Sequence, residues 1–304
     1  MPHRTGAVRF FPSLSLGARG AALLATLSAS GCGGGALPGL DPMATDGGPA
    51  DLAGHGGRDL TALPSADLAA PRDLAAAGER FSFFVTSLEA MRKLSGSQDG
   101  FGGDLRFGEA TGLAGADKIC TRIADLSMPG SGRKGWRAFL SAATGGPNGG
   151  PAHAIQRIGN GPWYDRIGRL VAMGPDGLVP GPRPSGDPQV VNDLPNELGI
   201  PNRQGTDNHD TLTGSNRSGM YGGDPRTTCN DWSSAVGAAG RPIIGHSWPR
   251  NPNDLRNGGN WLSDHPAPGC APGVNLIQNG PGNGAPIVGG GGGYGGIYCF
   301  ALVP

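Results

Sequence analysis

The sequence predicts a loop-rich α+β domain stapled by disulfides, and three observations lead there. Glycine supplies 58 of the 304 residues and proline 28, while aromatics make up 6%. That composition favours turns over long helices and leaves a modest apolar core for the chain length. One strongly periodic helix lies early in the candidate domain, with short apolar strands around it. Four cysteines, at 120, 229, 270 and 299, fall in the same region, and covalent staples offset a small core.

The chain divides into three parts. Residues 1–31 read as a lipoprotein signal peptide: Arg4, Arg9 and Arg19 precede the short apolar run "GAALLATLSAS" (20–30), and "ASGC" (29–32) follows. The run is too short to span a bilayer as a helix and has the layout of a secretory signal. A cysteine directly after small residues resembles the bacterial lipobox, which implies a lipid on Cys32 and a protein held at a membrane surface outside the cytoplasm. Residues 32–79 mix Gly, Ala, Pro and Asp without an aromatic. They bury too little to offset the entropy of ordering, so a disordered linker is expected.

Residues 80–304 are the folded domain. "RFSFFVTS" (80–87) is a strand by its aromatic and β-branched content. "GLAGADKICTRIADLS" (112–127) is a helix, because Ala116, Ile119, Cys120, Ile123 and Ala124 recur at the spacing of one buried face. "GWRAFLSA" (135–142) is a second strand, "AHAIQRIG" (152–159) a helical turn and "DRIGRLVA" (165–172) a short strand. From Met173 to Gly240 the chain reads as loop, and "GGIYCFALVP" (295–304) as a closing strand. With Cys32 lipidated, the four remaining cysteines of an exported domain form two disulfides, for which three connectivities are open. No Cys-x-x-Cys pair argues for zinc instead.

"GLAGADKIC", "GWRAFLS", "LTGSNRSG", "TCNDW" and "YCFAL" follow one another in the order and spacing of endostatin-like domains. The chain thus resembles the C-type-lectin-like (endostatin-like) fold over residues 81–304, with insertions near 174–210 and 271–296. It also resembles glycine-rich lipoproteins of the myxobacterial type. The resemblance implies the nested pairs Cys120–Cys299 and Cys229–Cys270, and first and last strands lying side by side. Endostatin's zinc, held mainly by histidines at its N-terminal end, is not implied, because "GERFSFFVTS" contains none.

The polar motifs give function candidates. In "TCNDWSS" (228–234) Asn230, Asp231 and Trp232 invert the Trp-Asn-Asp order of calcium-binding lectins. In "LPN" (194–196) Leu194 stands where a carboxylate or carboxamide belongs. Ca²⁺ takes six to eight oxygens, so the stretch is read as structural, with Trp232 and Trp136 in the core and no metal or other cofactor expected. Asn192, Asp193, Glu197, Asp207, His209 and Asp210, from the loops 191–199 and 205–214, would form an oxygen-rich cation or glycan site if those loops met. Trp163 is a candidate for stacking on sugar. His246 beside Ser247 lacks a third orienting group and gives no triad.

Lys plus Arg equals Asp plus Glu, 24 each, so nothing points to nucleic acid. Two functions of different class remain: a surface lipoprotein whose lectin-like loops bind a glycan, matrix or envelope-protein ligand, and an extracytoplasmic hydrolase using residues 191–210. The fold does not choose between them.

Overall fold

In the computed structural model, residues 79–250 and 259–303 are described. The expected signal peptide, Cys32 and the linker to residue 78 lie outside them. No helix among the described residues is long and apolar enough to cross a membrane. The architecture is mixed α and β, with small sheets, long loops and two disulfides. The strands, numbered in chain order, are β1 (Phe83–Val85), β2 (Arg137–Ala138), β3 (Ala142–Gly145), β4 (Pro151–Ala152), β5 (Trp163–Tyr164), β6 (Leu170–Ala172), β7 (Asp210–Leu212), β8 (Ile243–His246), β9 (His265–Pro266) and β10 (Gly293–Phe300). The two longer helices are α1 (Leu88–Ser95) and α2 (Gly112–Ser127).

β10 organises the main sheet, whose order is β1-β10-β7-β8-β9, with β2 also paired to β10. It runs antiparallel to β1, with Phe83 opposite Phe300, and parallel to β7, with Gly293 opposite Asp210. The first and last strands of the domain therefore lie side by side. Both faces of this pair are buried, so the strands read as continuous apolar runs rather than alternating ones. Phe84, Ile297 and Cys299 enter one core with the buried face of α2, while Phe83, Val85, Tyr298 and Phe300 enter a second core on the other side. Side chains alternating across the pleat account for the division.

α2 occupies the span expected from its periodicity, and all five of its anticipated face residues are buried. Thr111 caps it by accepting a hydrogen bond from the Ala114 amide, the usual remedy for the unpaired donors of a first helical turn. Cys120 on α2 bonds to Cys299 on β10, and Cys229 bonds to Cys270. This is the nested pairing that the endostatin-like resemblance implies. Disulfides of this kind belong to oxidising compartments outside the cytoplasm.

"TCNDW" forms a left-handed turn. Cys229, Asn230, Asp231 and Trp232 all have positive φ, from 47° to 61°. Each such residue costs about 1–2 kcal/mol, so the turn persists only because its surroundings over-determine it. Cys229 is bound through its sulfur. The Asp231 carboxylate accepts from the amides of Ala143 and Thr144, at 2.6 and 3.1 Å, and from the Thr144 hydroxyl. The buried Trp232 indole donates to the Ser141 carbonyl at 2.8 Å. A side chain at Gly112 would strike the backbone of this turn, so the start of α2 presses directly against it.

Candidate functional site

The loop strands bring together a set of histidines and carboxylates at one end of the main sheet. Asp210 opens β7 and lies opposite His246, the last residue of the antiparallel β8. His265 opens β9 opposite Ile244, two residues from His246 and so on the same face of β8. Gly293 opens β10 beside Asp210. His209 directly precedes β7, and its carbonyl is held by the Ser247 amide at 2.8 Å.

The donor atoms converge on the Asp210 carboxylate. Its Oδ1 lies 3.0 Å from His209 Nε2, 3.5 Å from His246 Nε2 and 3.6 Å from His265 Nε2. All four donor atoms lie within 4.8 Å of one another. His209, Asp210 and His246 are at most 2% exposed, and the His265 side chain is 34% exposed. The site therefore has one accessible edge. Asp207 Oδ1 stands 2.6 Å from His209 Nδ1, and Asp264 Oδ2 stands 3.4 Å from His246 Nε2.

Polar groups buried this deeply normally have hydrogen-bond partners. Here both oxygens of Asp207 and Asp210 and both ring nitrogens of His209 lack a well-angled one among the described residues. Burial pushes the Asp210 carboxyl up to about 6, against the pull of His209 and His265. A buried histidine and carboxylate group of this kind can hold a metal ion.

The neighbouring chain is built tightly around the group. Arg183, buried, donates to the carbonyls of Val191, His246 and Ser247 and thereby fixes the end of β8. Trp248 donates to Asn208 Oδ1 at 2.9 Å, and its ring lies 5.1 Å from that of His209. On the other side the glycine run ahead of β10 presses bare backbone onto the cluster. A Cβ at Gly292 would stand 2.7 Å from Asp207 Oδ2 and 2.9 Å from His209 Cε1, and one at Gly291 would strike the Asp210 carboxylate.

Of the ligand residues expected from sequence, Asp207, His209 and Asp210 meet here and the others do not. Glu197 instead accepts from the Ser87 amide and hydroxyl at the start of α1, at 2.9 and 2.6 Å. Asp193 accepts from the Arg203 amide at 3.0 Å, and Asn192 faces solvent. The loops 191–199 and 205–214 thus serve separate purposes rather than one oxygen-rich site. Trp163 is no stacking platform: it is fully buried, donates to the Ala301 carbonyl and packs edge-on against Phe300. A chain this poor in aromatics needs them in its core, and Trp136 and Trp232 are buried as expected. His265 and the role of His246 escape a reading of the sequence. Their only local signal is a histidine set among turn-forming residues in "GHSW" and "SDHP".

The broad exposed concavities lie elsewhere, one of about 590 Å³ against Leu88, Glu89 and Arg92 and another beside the Phe101–Glu109 segment. A groove of about 550 Å³ is lined by Phe101, Asp104, Arg106, Phe107 and Glu109, and no member of the histidine cluster lines it. The Phe101 and Phe107 rings meet edge to face at 5.5 Å. The charges at its rim are paired, Arg106 with Asp104 at 2.5 Å and Lys118 with Glu109 at 2.6 Å. Phe107 has a φ of 45°. The groove's floor is anchored through hydrogen bonds from the Gly103 amide to Cys270 and from the Leu105 amide to Trp232.

No model of a known protein family matches the chain, and no curated protein matches it.

Proposed function

We propose that this chain is an extracytoplasmic, lipid-tethered binding module with an endostatin-like, C-type-lectin-like domain, and that its exposed groove takes a neutral glycan. The observation that carries the reading is a separation in space. A hydrolase needs its titratable groups to converge inside the cavity that admits the substrate. Here the convergent carboxylates and histidines are buried at the end of the sheet, while the groove is lined by other residues.

The groove's chemistry suits a sugar. Half-exposed phenyl rings offer apolar faces to C–H groups. The paired guanidinium and carboxylates offer donors and acceptors to hydroxyls with little net charge. A non-glycine residue in the left-handed region, as at Phe107, is the kind of strain that surroundings retain at binding sites. Anchorage of the groove to the Cys229–Cys270 disulfide and the "TCNDW" turn supplies rigidity, so little ordering cost falls on binding. On this reading the Cys229–Cys270 disulfide and the left-handed turn serve the groove rather than calcium.

A glycan array probed with the purified protein tests the reading, alongside Phe107→Ala and Arg106→Ala variants. Binding to one class of neutral glycan is expected, weakened by about tenfold or more in either variant, as for truncation of a central contact. An array without signal, or one whose signal both variants retain, would remove the groove as the site.

A further inference from the structure

We infer that His209, Asp210, His246 and His265 form a four-coordinate site for a zinc-class divalent ion. Asp207 and the Pro266 carbonyl orient two of its imidazoles. The inference stands apart from the glycan reading, because it concerns residues that do not line the groove.

The donor set selects the class of ion. Three imidazoles and one carboxylate suit zinc and its first-row neighbours, whereas calcium asks for six to eight oxygens. The spacing agrees. Zinc bonds of about 2.0–2.1 Å set the ligand atoms of a tetrahedron about 3.3 Å apart. The three distances from Asp210 Oδ1 to the imidazole nitrogens, 3.0, 3.5 and 3.6 Å, bracket that value.

Tautomers agree as well. His265 Nδ1 lies 3.3 Å from the Pro266 carbonyl. A carbonyl only accepts, so Nδ1 carries the proton and Nε2 turns a lone pair toward Asp210. Asp207 Oδ1 stands 2.6 Å behind His209 Nδ1, at ion-pair distance. Carboxylates and carbonyls placed behind metal-bound histidines serve this purpose in known sites.

The oxygens of Asp210 and Nε2 of His209, buried and without a well-angled hydrogen bond among the described residues, supply the independent sign of a ligand. With four protein donors and a backbone wall at Gly291 and Gly292, the shell is closed, which is the form of a structural rather than a catalytic zinc site. The ion would join β7, β8 and β9 under the glycine wall that leads into β10. His265, the exposed member, is the edge by which metal enters.

The test uses the full chain in detergent, treated with chelator and then titrated with Zn²⁺, Co²⁺ or Ca²⁺. Expected results are one equivalent of Zn²⁺ per chain, a melting temperature raised by Zn²⁺ and not by Ca²⁺, and the strong visible absorption of tetrahedral Co²⁺. Quenching of Trp248 fluorescence should accompany Co²⁺ binding. His265→Ala removes the least buried ligand and should weaken Zn²⁺ binding by more than tenfold. Asp207→Asn preserves shape and should weaken it by about 10–100-fold, as loss of an orienting partner does. A melting temperature indifferent to Zn²⁺ and chelator overturns the inference. So does Zn²⁺ binding that survives unchanged in both variants, or stabilisation by Ca²⁺ alone.

Discussion

Trp232 packs in the core beside α2 and spends its one polar atom on the Ser141 carbonyl. Trp232→Ala should therefore cost about 3–5 kcal/mol, the usual range for a large buried aromatic, measured as a shift in denaturant midpoint. A loss below 1 kcal/mol would mean that the left-handed turn does not depend on its indole. Glu197 gives a pH-dependent counterpart. Burial raises its carboxyl above the ordinary 4.5, opposed by the hydrogen bonds from Ser87. The folded state then keeps a proton that the unfolded chain has already lost. Stability from this group is complete below pH about 4.5 and declines as pH rises through the higher folded value. Asp117 and Asp193 are raised by burial in the same direction, so the comparison must be between proteins. Thermal melts from pH 4 to 8 should show a shallower decline for Glu197→Gln than for the parent. Parallel curves would refute the assignment.

At the scale of elements, the disulfide between α2 and β10 spans 179 residues. Loop-closure entropy gives about 5 kcal/mol for so long a loop, less any native strain. The double variant Cys120→Ser, Cys299→Ser should lose several kcal/mol in chemical denaturation. Equal stability would show that the reference state is already compact. α2 was legible in the sequence because 16 residues give four turns of pattern and a threonine cap. α1 was not anticipated, although its punctuation is present: Ser87 caps it, Glu89 lies in its first turn, and Gly96 closes it with φ 68°. Eight residues, three of them charged, give only about two turns of apolar pattern, too short to stand out. β7, β8 and β9 are two to four residues long, and such strands exist only through partners distant in the chain. The loop expected from Met173 to Gly240 accordingly contains β7. The candidate metal ligands 246 and 265 were beyond local inspection for the same reason, since only sheet register brings them to His209 and Asp210.

For the whole molecule, the lipid on Cys32 remains a proposal resting on the charged, short-apolar, small-residue arrangement before it. Detergent-phase partition should retain the parent protein and release Cys32→Ala into the aqueous phase. Equal partition of the two would end the lipoprotein reading. With two disulfides in place, the domain is equipped for an oxidising compartment, where no reductant loosens its staples. The cysteines alone left three pairings open, and the nested one found was implied by the endostatin-like resemblance. The choice of ligand was not legible, because the groove is assembled from a segment, residues 95–109, whose charges and phenylalanines look like ordinary surface until the fold curves them together.

The five glycines from 289 to 293 look, as composition, like a spacer of arbitrary length. Their ends are pinned, however: Val288 is buried in the core, and the Tyr294 hydroxyl donates to the Thr86 carbonyl at 2.7 Å. Between those pins the run acts as a ruler, and one residue more or fewer would slide Gly292 away from His209. A single inserted glycine here should lower the melting temperature sharply. The same insertion beside Gly205, which has open space around its Cα, should be tolerated. The run's length is therefore as much a part of the message as its composition: any residue lost would be missed there, and any extra one would be felt at the histidines.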